Sequence, residues 1–123
     1  MKGILLIAHG SRRSESNEEV QQLTHTLRNR LDRKTIILCC AFLEQARPSI
    51  PEGIDACIQA GARSILILPY FLSAGRHVSR DIPELIHNKQ IQYPDITFHL
   101  RPHIGSSEGM TDLLLSMIHP EAK

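Results

Sequence analysis

The feature of this sequence that most limits its fold is a fourfold alternation of short apolar runs with longer amphipathic segments. Unbroken apolar runs occupy residues 4–8, 36–41 and 65–68. Such runs are typical of strands that are buried on both faces of a parallel sheet. In a fourth stretch, Ile96, Phe98 and Leu100 alternate with polar residues, which predicts a strand at the edge of the sheet.

The segments between these runs carry apolar residues at three- and four-residue spacing, which predicts four amphipathic helices. The clearest stripes cover residues 20–31, 50–58 and 110–118. Ser16 and Glu19 have the spacing of a capping box, and Gly61 stands where the second helix is expected to stop. The third helix is expected to open at Asp81, because residues 81–84 combine a cap residue, an early proline and an acid.

Strands separated by helices predict a mainly parallel sheet, since right-handed crossovers place helices over both of its faces. We therefore expect a four-stranded, flavodoxin-like α/β sandwich. The chain has 123 residues, which suits one domain over residues 1–123 with a core of its own.

Composition excludes several classes of protein. The formal net charge is +1 and the basic residues form no run, so no nucleic-acid partner is expected. No segment approaches the roughly 18 apolar residues of a membrane span, so no membrane partner is expected either. The three cysteines, Cys39, Cys40 and Cys57, form no CxxC motif. They are interpreted as reduced core residues of a cytoplasmic protein.

Three candidate metal ligands follow the three buried strands. His9 comes after the first strand, Glu44 after the second, and His77 is expected on the longer loop after the third. Because ligands of open α/β sheets bind at the carboxyl ends of the strands, these side chains should meet at one edge. Two imidazoles and a carboxylate suit Fe, Co, Ni or Zn, and they can also accept protons near neutral pH. Taken singly, these residue types are more common as ordinary loop or helix-start residues.

Three longer stretches carry a resemblance to a known family. They are residues 6–12 (LIAHGSR), 42–50 (FLEQARPSI) and 68–83 (LPYFLSAGRHVSRDIP). Together they resemble the sirohydrochlorin chelatases of the CbiX and SirB type, and the third stretch is the most specific. Longer relatives carry two such domains in tandem, whereas this chain is similar to the single-domain short form. The resemblance therefore implies a chelatase-like fold and a homodimer.

The same resemblance implies an enzyme that inserts a divalent metal into sirohydrochlorin for cobalamin or siroheme synthesis. By this resemblance His9, Glu44 and His77 bind the metal and accept the pyrrole protons. The metal is a substrate and no permanently bound cofactor is expected. Co²⁺ is favoured, with Ni²⁺ and Fe²⁺ as alternatives. The sequence has no GxxxxGK[ST] phosphate loop, so the reaction is expected to be independent of ATP.

Sirohydrochlorin would bring eight carboxylates and a broad flat ring, which call for cations and apolar walls. The candidate substrate-binding residues are Ser11, Arg12, Arg47, Arg76, Tyr70 and Phe71. Arginine binds carboxylates through two parallel hydrogen bonds. The arginines are also consistent with ordinary surface charges, and Tyr70 and Phe71 fit core or dimer contacts better than contacts with the ring. His103 also follows a strand and could reach the same edge, although the family pattern requires no ligand there.

Two other functions use the same residues. The motif at residues 9–12 has a faint similarity to the histidine phosphatases, but those enzymes need an arginine directly before the histidine, and this chain has Ala8. A carrier that binds metal or tetrapyrrole without turnover would also use His9, Glu44 and His77. Catalytic turnover distinguishes a chelatase from such a carrier.

Overall fold

The computed structural model describes residues 1–119, except for the side chain of His77, and in this part four strands and four α-helices alternate. The strands are β1 (Lys2–Ala8), β2 (Ile36–Phe42), β3 (Ser64–Pro69) and β4 (Thr97–Leu100). The helices are α1 (Ser14–Asn29), α2 (Ile50–Gln59), α3 (Arg76–Gln92) and α4 (Glu108–Ile118), and a 3₁₀ turn at Ile104–Ser106 precedes α4. All strands pair in parallel in the order β2-β1-β3-β4, which confirms the predicted sheet.

The sheet packs on both faces, which explains its unbroken apolar runs. On one face Leu5, Ile7 and Ile67 pack with Ile54 of α2 and Ile82 of α3. The opposite face carries a smaller cluster, which Leu6, Ala8 and Phe42 form with Val20 of α1. The outer strand β4 is more exposed, with Thr97 and His99 open to solvent, and this confirms its predicted place at the edge.

The capping box predicted for the first helix is wrong. α1 begins at Ser14, its N-cap Arg13 makes no side-chain capping bond, and Ser16 lies inside the helix. The preceding loop is held instead by Asn17. Its Oδ1 accepts from the backbone N–H of Ser11 at 2.9 Å, and its Nδ2 donates to the carbonyl of Ser11 at 2.8 Å. The loop after β1 is therefore tied to the first turn of the helix.

The predicted start of the third helix is also wrong. α3 begins at Arg76, five residues before Asp81, so Pro83 lies inside the helix. An interior proline costs one backbone hydrogen bond. Burial of Ile82, with Val78 and nearby apolar residues against the core, opposes that cost. His77 consequently belongs to the first helical turn and not to a loop.

The second helix begins at a capping box that the sequence pattern did not single out. The Ser49 side chain accepts from the backbone N–H of Glu52 at 3.2 Å, and the Glu52 carboxylate accepts from the backbone N–H of Ser49 at 2.8 Å. The expected stop at Gly61 is confirmed: α2 ends at Gln59, and Gly61 has a φ of +109°. A left-handed glycine just after a helix satisfies its last carbonyls.

The last helix covers the predicted residues 110–118 and starts two residues earlier, with Ser107 as its side-chain cap. Five of its large aliphatic side chains, Leu113, Leu114, Leu115, Met117 and Ile118, are exposed. Within residues 1–119, none of the helices has the length and hydropathy needed to cross a bilayer.

Candidate functional site

Backbone hydrogen bonds join the loops after β1 and β2 at the carboxyl edge of the sheet. The Leu43 N–H donates to the carbonyl of Ala8 at 2.9 Å, and the Glu44 N–H donates to the carbonyl of His9 at 3.1 Å. The pairing of β1 with β2 therefore continues past the strand ends as far as both candidate ligands. These backbone hydrogen bonds therefore position His9 and Glu44 independently of any contact between their side chains.

Gly10 permits the close approach of these loops. Its φ of +91° lies in the left-handed region, which disfavours side chains. A Cβ at this position would lie 1.7 Å from the carbonyl oxygen of Glu44, well inside van der Waals contact. Gln45, on the other loop, has a positive φ of 65°, so the chain turns sharply on both sides of the contact.

The His9 and Glu44 side chains form a pair that faces solvent. Nε2 of His9 lies 3.5 Å from Oε1 of Glu44, and the two side chains are 57% and 56% exposed. At that exposure their attraction is weak, so an incoming cation or proton can compete for either group. The His9 ring also meets the edge of Phe71, with centroids 6.2 Å apart and planes at 82°. Phe71 is 8% exposed and belongs to the core, so it fixes one side of the imidazole.

The third candidate ligand is placed only by its backbone. His77 is the second residue of α3, and its side chain lies outside the described part of the structure. Among the side chains that are described, no group of three or more His, Cys, Asp or Glu residues is arranged to hold a metal ion. The structure therefore brings together two of the three candidates, and the position of the third in a metal site stays a prediction.

The polar candidates beside His9 have different surroundings. Ser11 is half-buried, and its Oγ accepts from the backbone N–H of Arg13 at 3.0 Å, so this hydroxyl helps to shape the loop. Arg12 is exposed in the same loop, and Arg76 is exposed at the start of α3. Both guanidinium groups lie in segments that follow strand ends.

Arg47 is bound to a carboxylate of its own chain. Its guanidinium donates to both carboxylate oxygens of Glu52, the residue that also caps α2. Hydrogen bonding from Arg47, followed by that from the Ser49 backbone, lowers the pKa of Glu52 from 4.5 to about 2. A substrate carboxylate at Arg47 would therefore have to compete with Glu52.

We expect Arg47→Ala to raise the pKa of Glu52 from about 2 toward 4.5. The folded-state pKa lies below the ordinary value, so this ion pair stabilises the fold above about pH 4.5 and its contribution disappears as the pH falls toward 2. A carboxyl ¹³C titration followed by NMR measures the shift. Arg30→Ala, an exposed arginine at the end of α1, is the matched control. An unchanged Glu52 titration in Arg47→Ala would show that the Ser49 N–H alone sets this pKa.

Two cavities adjoin the aromatic residues that follow β3. Phe71 lines a cavity of about 170 Å³ between the start of α3 and the end of β4. Tyr70 is 39% exposed and lines a wider cavity of about 690 Å³ on the α1 side of the sheet. His103, whose role the sequence left open, lines both cavities, as does Arg101.

Sequence reasoning missed Arg101 and the contact of Phe71 with the His9 ring, although a core position was one expectation for Phe71. The Arg101 backbone N–H donates to the carbonyl of Ile67 at 3.0 Å, which extends the β3–β4 pairing past the strand and carries Arg101 to the carboxyl edge. The sequence does contain a signal for Arg101, because this residue directly follows the alternating stretch that predicted β4 and so lies at a strand end. The packing of Phe71 against His9 had no such signal, since it joins residues 62 positions apart in the chain.

Comparison with known proteins adds an independent line of information. The sequence model of the CbiX family matches residues 3–120. A sirohydrochlorin cobaltochelatase of Priestia megaterium is 32% identical over 93% of this chain and 36% of its own length. A sirohydrochlorin ferrochelatase of the same organism is 33% identical over 97% of this chain and 44% of its own length. The chain thus spans less than half the length of both relatives.

One solved structure adds a comparison of the fold. The sirohydrochlorin chelatase SirB from Bacillus subtilis subspecies spizizenii, in complex with cobalt, superposes with a TM-score of 0.82 at 27% identity. The match covers 97% of this chain and 50% of that one. The α/β architecture described above is therefore the chelatase fold.

Proposed function

The chain belongs to the CbiX family, and from that premise we propose that it is a sirohydrochlorin chelatase that inserts a divalent metal without ATP. The observation that carries the proposal is the His9–Glu44 pair at the carboxyl edge, with 3.5 Å between Nε2 and Oε1. An imidazole and a carboxylate beside each other can both hold a borderline divalent metal and accept protons. The two relatives in Priestia megaterium are named for this reaction with cobalt and with iron.

The proposed reaction exchanges one divalent metal for two pyrrole protons. His9, Glu44 and His77 hold the metal substrate while the ring nitrogens approach from the open side. When the metal moves to the ring, the nitrogens of His9 and His77 that held it become free, and each accepts one of the two pyrrole protons. Oε1 of Glu44 lies 3.5 Å from Nε2 of His9, and the Glu44 side chain is 56% exposed, so it can pass the proton of His9 to solvent. Its negative charge also offsets part of the charge of the incoming metal.

Substrate recognition is assigned to the side chains around this pair. Arg12 and Arg76 are exposed on neighbouring segments and suit the peripheral carboxylates of the ring. Ser11 and Arg47 are retained as candidates, although Arg47 must first leave Glu52. Tyr70 is 39% exposed and can contact the macrocycle, whereas Phe71 contributes mainly by packing against the ring of His9.

The proposal also covers the preferred metal and the oligomeric state of the protein. Imidazole and carboxylate ligands accept cobalt, nickel and ferrous iron, so the donor set does not select among them. Co²⁺ remains favoured by similarity to the short form of the family.

We also propose a homodimer of single chelatase-like domains in the cytoplasm, with sirohydrochlorin bound between the two carboxyl edges.

The test is a turnover assay. Sirohydrochlorin in large excess over the protein is mixed anaerobically with Co²⁺, Ni²⁺ or Fe²⁺, and the absorbance change is compared with spontaneous insertion. We expect many turnovers per protein chain with at least one metal, and the rates rank the metals. Stoichiometric binding of metal or tetrapyrrole without acceleration would overturn the chelatase proposal and favour a carrier.

A further inference from the structure

The last helix presents an apolar face that residues 1–119 leave uncovered. Leu113, Leu114, Met117 and Ile118 are between 51% and 69% exposed. Residues three and four apart lie next to one another on a helix, so these four side chains form one face, called here the α4 stripe. Together they expose several hundred Å² of contiguous apolar surface, as much as the largest patch that a monomer ordinarily shows.

A groove of matching character lies on the face of the sheet that α1 covers. This groove is the 690 Å³ cavity, and it is called here the α1 groove. Its apolar wall includes Leu6, Leu23, Leu27 and Leu68. Leu23 and Leu27 of α1 and Leu68 of β3 are only partly buried. Residues of two helices, α2 and α3, pack against the other face of the sheet, whereas among residues 1–119 the helical residues in the cluster on this face all belong to α1.

We propose that the α4 stripe of a second copy occupies the α1 groove, and that two copies exchange their last helices reciprocally. This inference rests on the proposed homodimer and names the segment that forms it. Two stripes covered by two grooves would bury on the order of 1,000–2,000 Å² in total, which is the range of specific dimers. The helix thereby supplies the second covering element that this face of the sheet lacks in one copy.

The direction of α4 favours a second copy over the same chain. Glu108, the first residue of α4, itself lines the groove, and the later described residues of the helix do not. The Ser107 side chain caps this start by accepting from the Gly109 N–H at 3.2 Å. Folding α4 back into its own groove would require a reversal at this capped turn. Exchange with a second copy leaves the turn as it is.

The exchanged helix would lie close to the proposed catalytic edge. The α1 groove is also lined by Tyr70, Arg101 and His103, which follow β3 and β4 at that edge. A partner helix seated there would close one side of the region assigned to the macrocycle. Dimerisation and the shape of the substrate site are coupled in this arrangement.

The first test compares two glutamate substitutions on opposite faces of α4 by sedimentation velocity. Leu114→Glu places a charge at the centre of the stripe and is expected to weaken dimerisation at least tenfold. Ser116→Glu places the same charge on the other face and is expected to leave the dimer intact. A wild-type protein that is monomeric at tens of micromolar, or a dimer that Leu114→Glu does not weaken, would overturn the proposal.

The second test addresses the groove. Leu27→Glu at the groove is expected to weaken dimerisation about as strongly as Leu114→Glu, whereas the exposed Thr26→Glu on the same helix is expected to have no effect. Hydrogen exchange of the wild-type protein supplies a readout that needs no variant to fold: the amides of α4 should become protected as concentration rises. Loss of the dimer in Leu114→Glu, with no effect of a folded Leu27→Glu, would place the helix elsewhere and overturn the exchange. Neither measurement uses sirohydrochlorin, so a failed chelatase assay would leave this result unaffected.

Discussion

Replacement of His9 by alanine is expected to lower the rate of metal insertion into sirohydrochlorin by at least about 100-fold, the range that a positioned acid–base group contributes. The substitution removes the imidazole whose Nε2 lies 3.5 Å from Glu44. The proposed site would lose one metal ligand and one proton acceptor together. Initial rates with the preferred metal, corrected for spontaneous insertion, measure the effect.

A histidine outside the site separates chemistry from folding. His25 is exposed on α1, and His25→Ala should keep both the activity and the stability of the wild type. His9→Ala also loses the edge contact with Phe71, so its urea midpoint should be measured beside its rate. A folded His9→Ala variant that retains more than about half of the rate would remove His9 from the proposed mechanism.

Replacement of Gly10 by alanine is expected to destabilise the fold by about 3 kcal/mol or more. A non-glycine residue held at a positive φ costs about 1–3 kcal/mol. The new Cβ would also lie 1.7 Å from the Glu44 carbonyl oxygen and force the two loops apart. Because the same loops position His9 and Glu44, the variant should lose most of its chelatase activity as well. Urea denaturation and the turnover assay measure the two effects.

Gly75 provides the matched control for this substitution. It has an extended backbone with a φ of −72°, and a Cβ there would meet nothing within 4 Å. Gly75 is the N-cap of α3, and its replacement by alanine should lower the free energy of unfolding by less than about 1 kcal/mol. If Gly10→Ala were as stable as Gly75→Ala, the contact between the two loops would have to be flexible enough to absorb a side chain.

The strands were predictable from sequence because burial on both faces leaves a local signal. An unbroken apolar run such as residues 36–41 can be recognised without knowing which strands lie beside it. Helix starts were less predictable, since Ser16 and Asp81 have the residue types of caps but lie inside helices. Burial of Ile82 against the core outweighs the local preference for a start near Pro83.

The sequence by itself determined the order of the elements along the chain, the edge of the sheet that carries the candidate site, and the placement of His9 and Glu44 after the first and second strands. These follow from local periodicity and from the rule that parallel crossovers bring strand ends together. Only the tertiary structure decided the 3.5 Å pair, the capture of Arg47 by Glu52 and the exposure of the α4 stripe. Those features depend on where distant backbone segments come to lie, and an apolar stripe has the same sequence pattern whether its own chain or a second copy covers it.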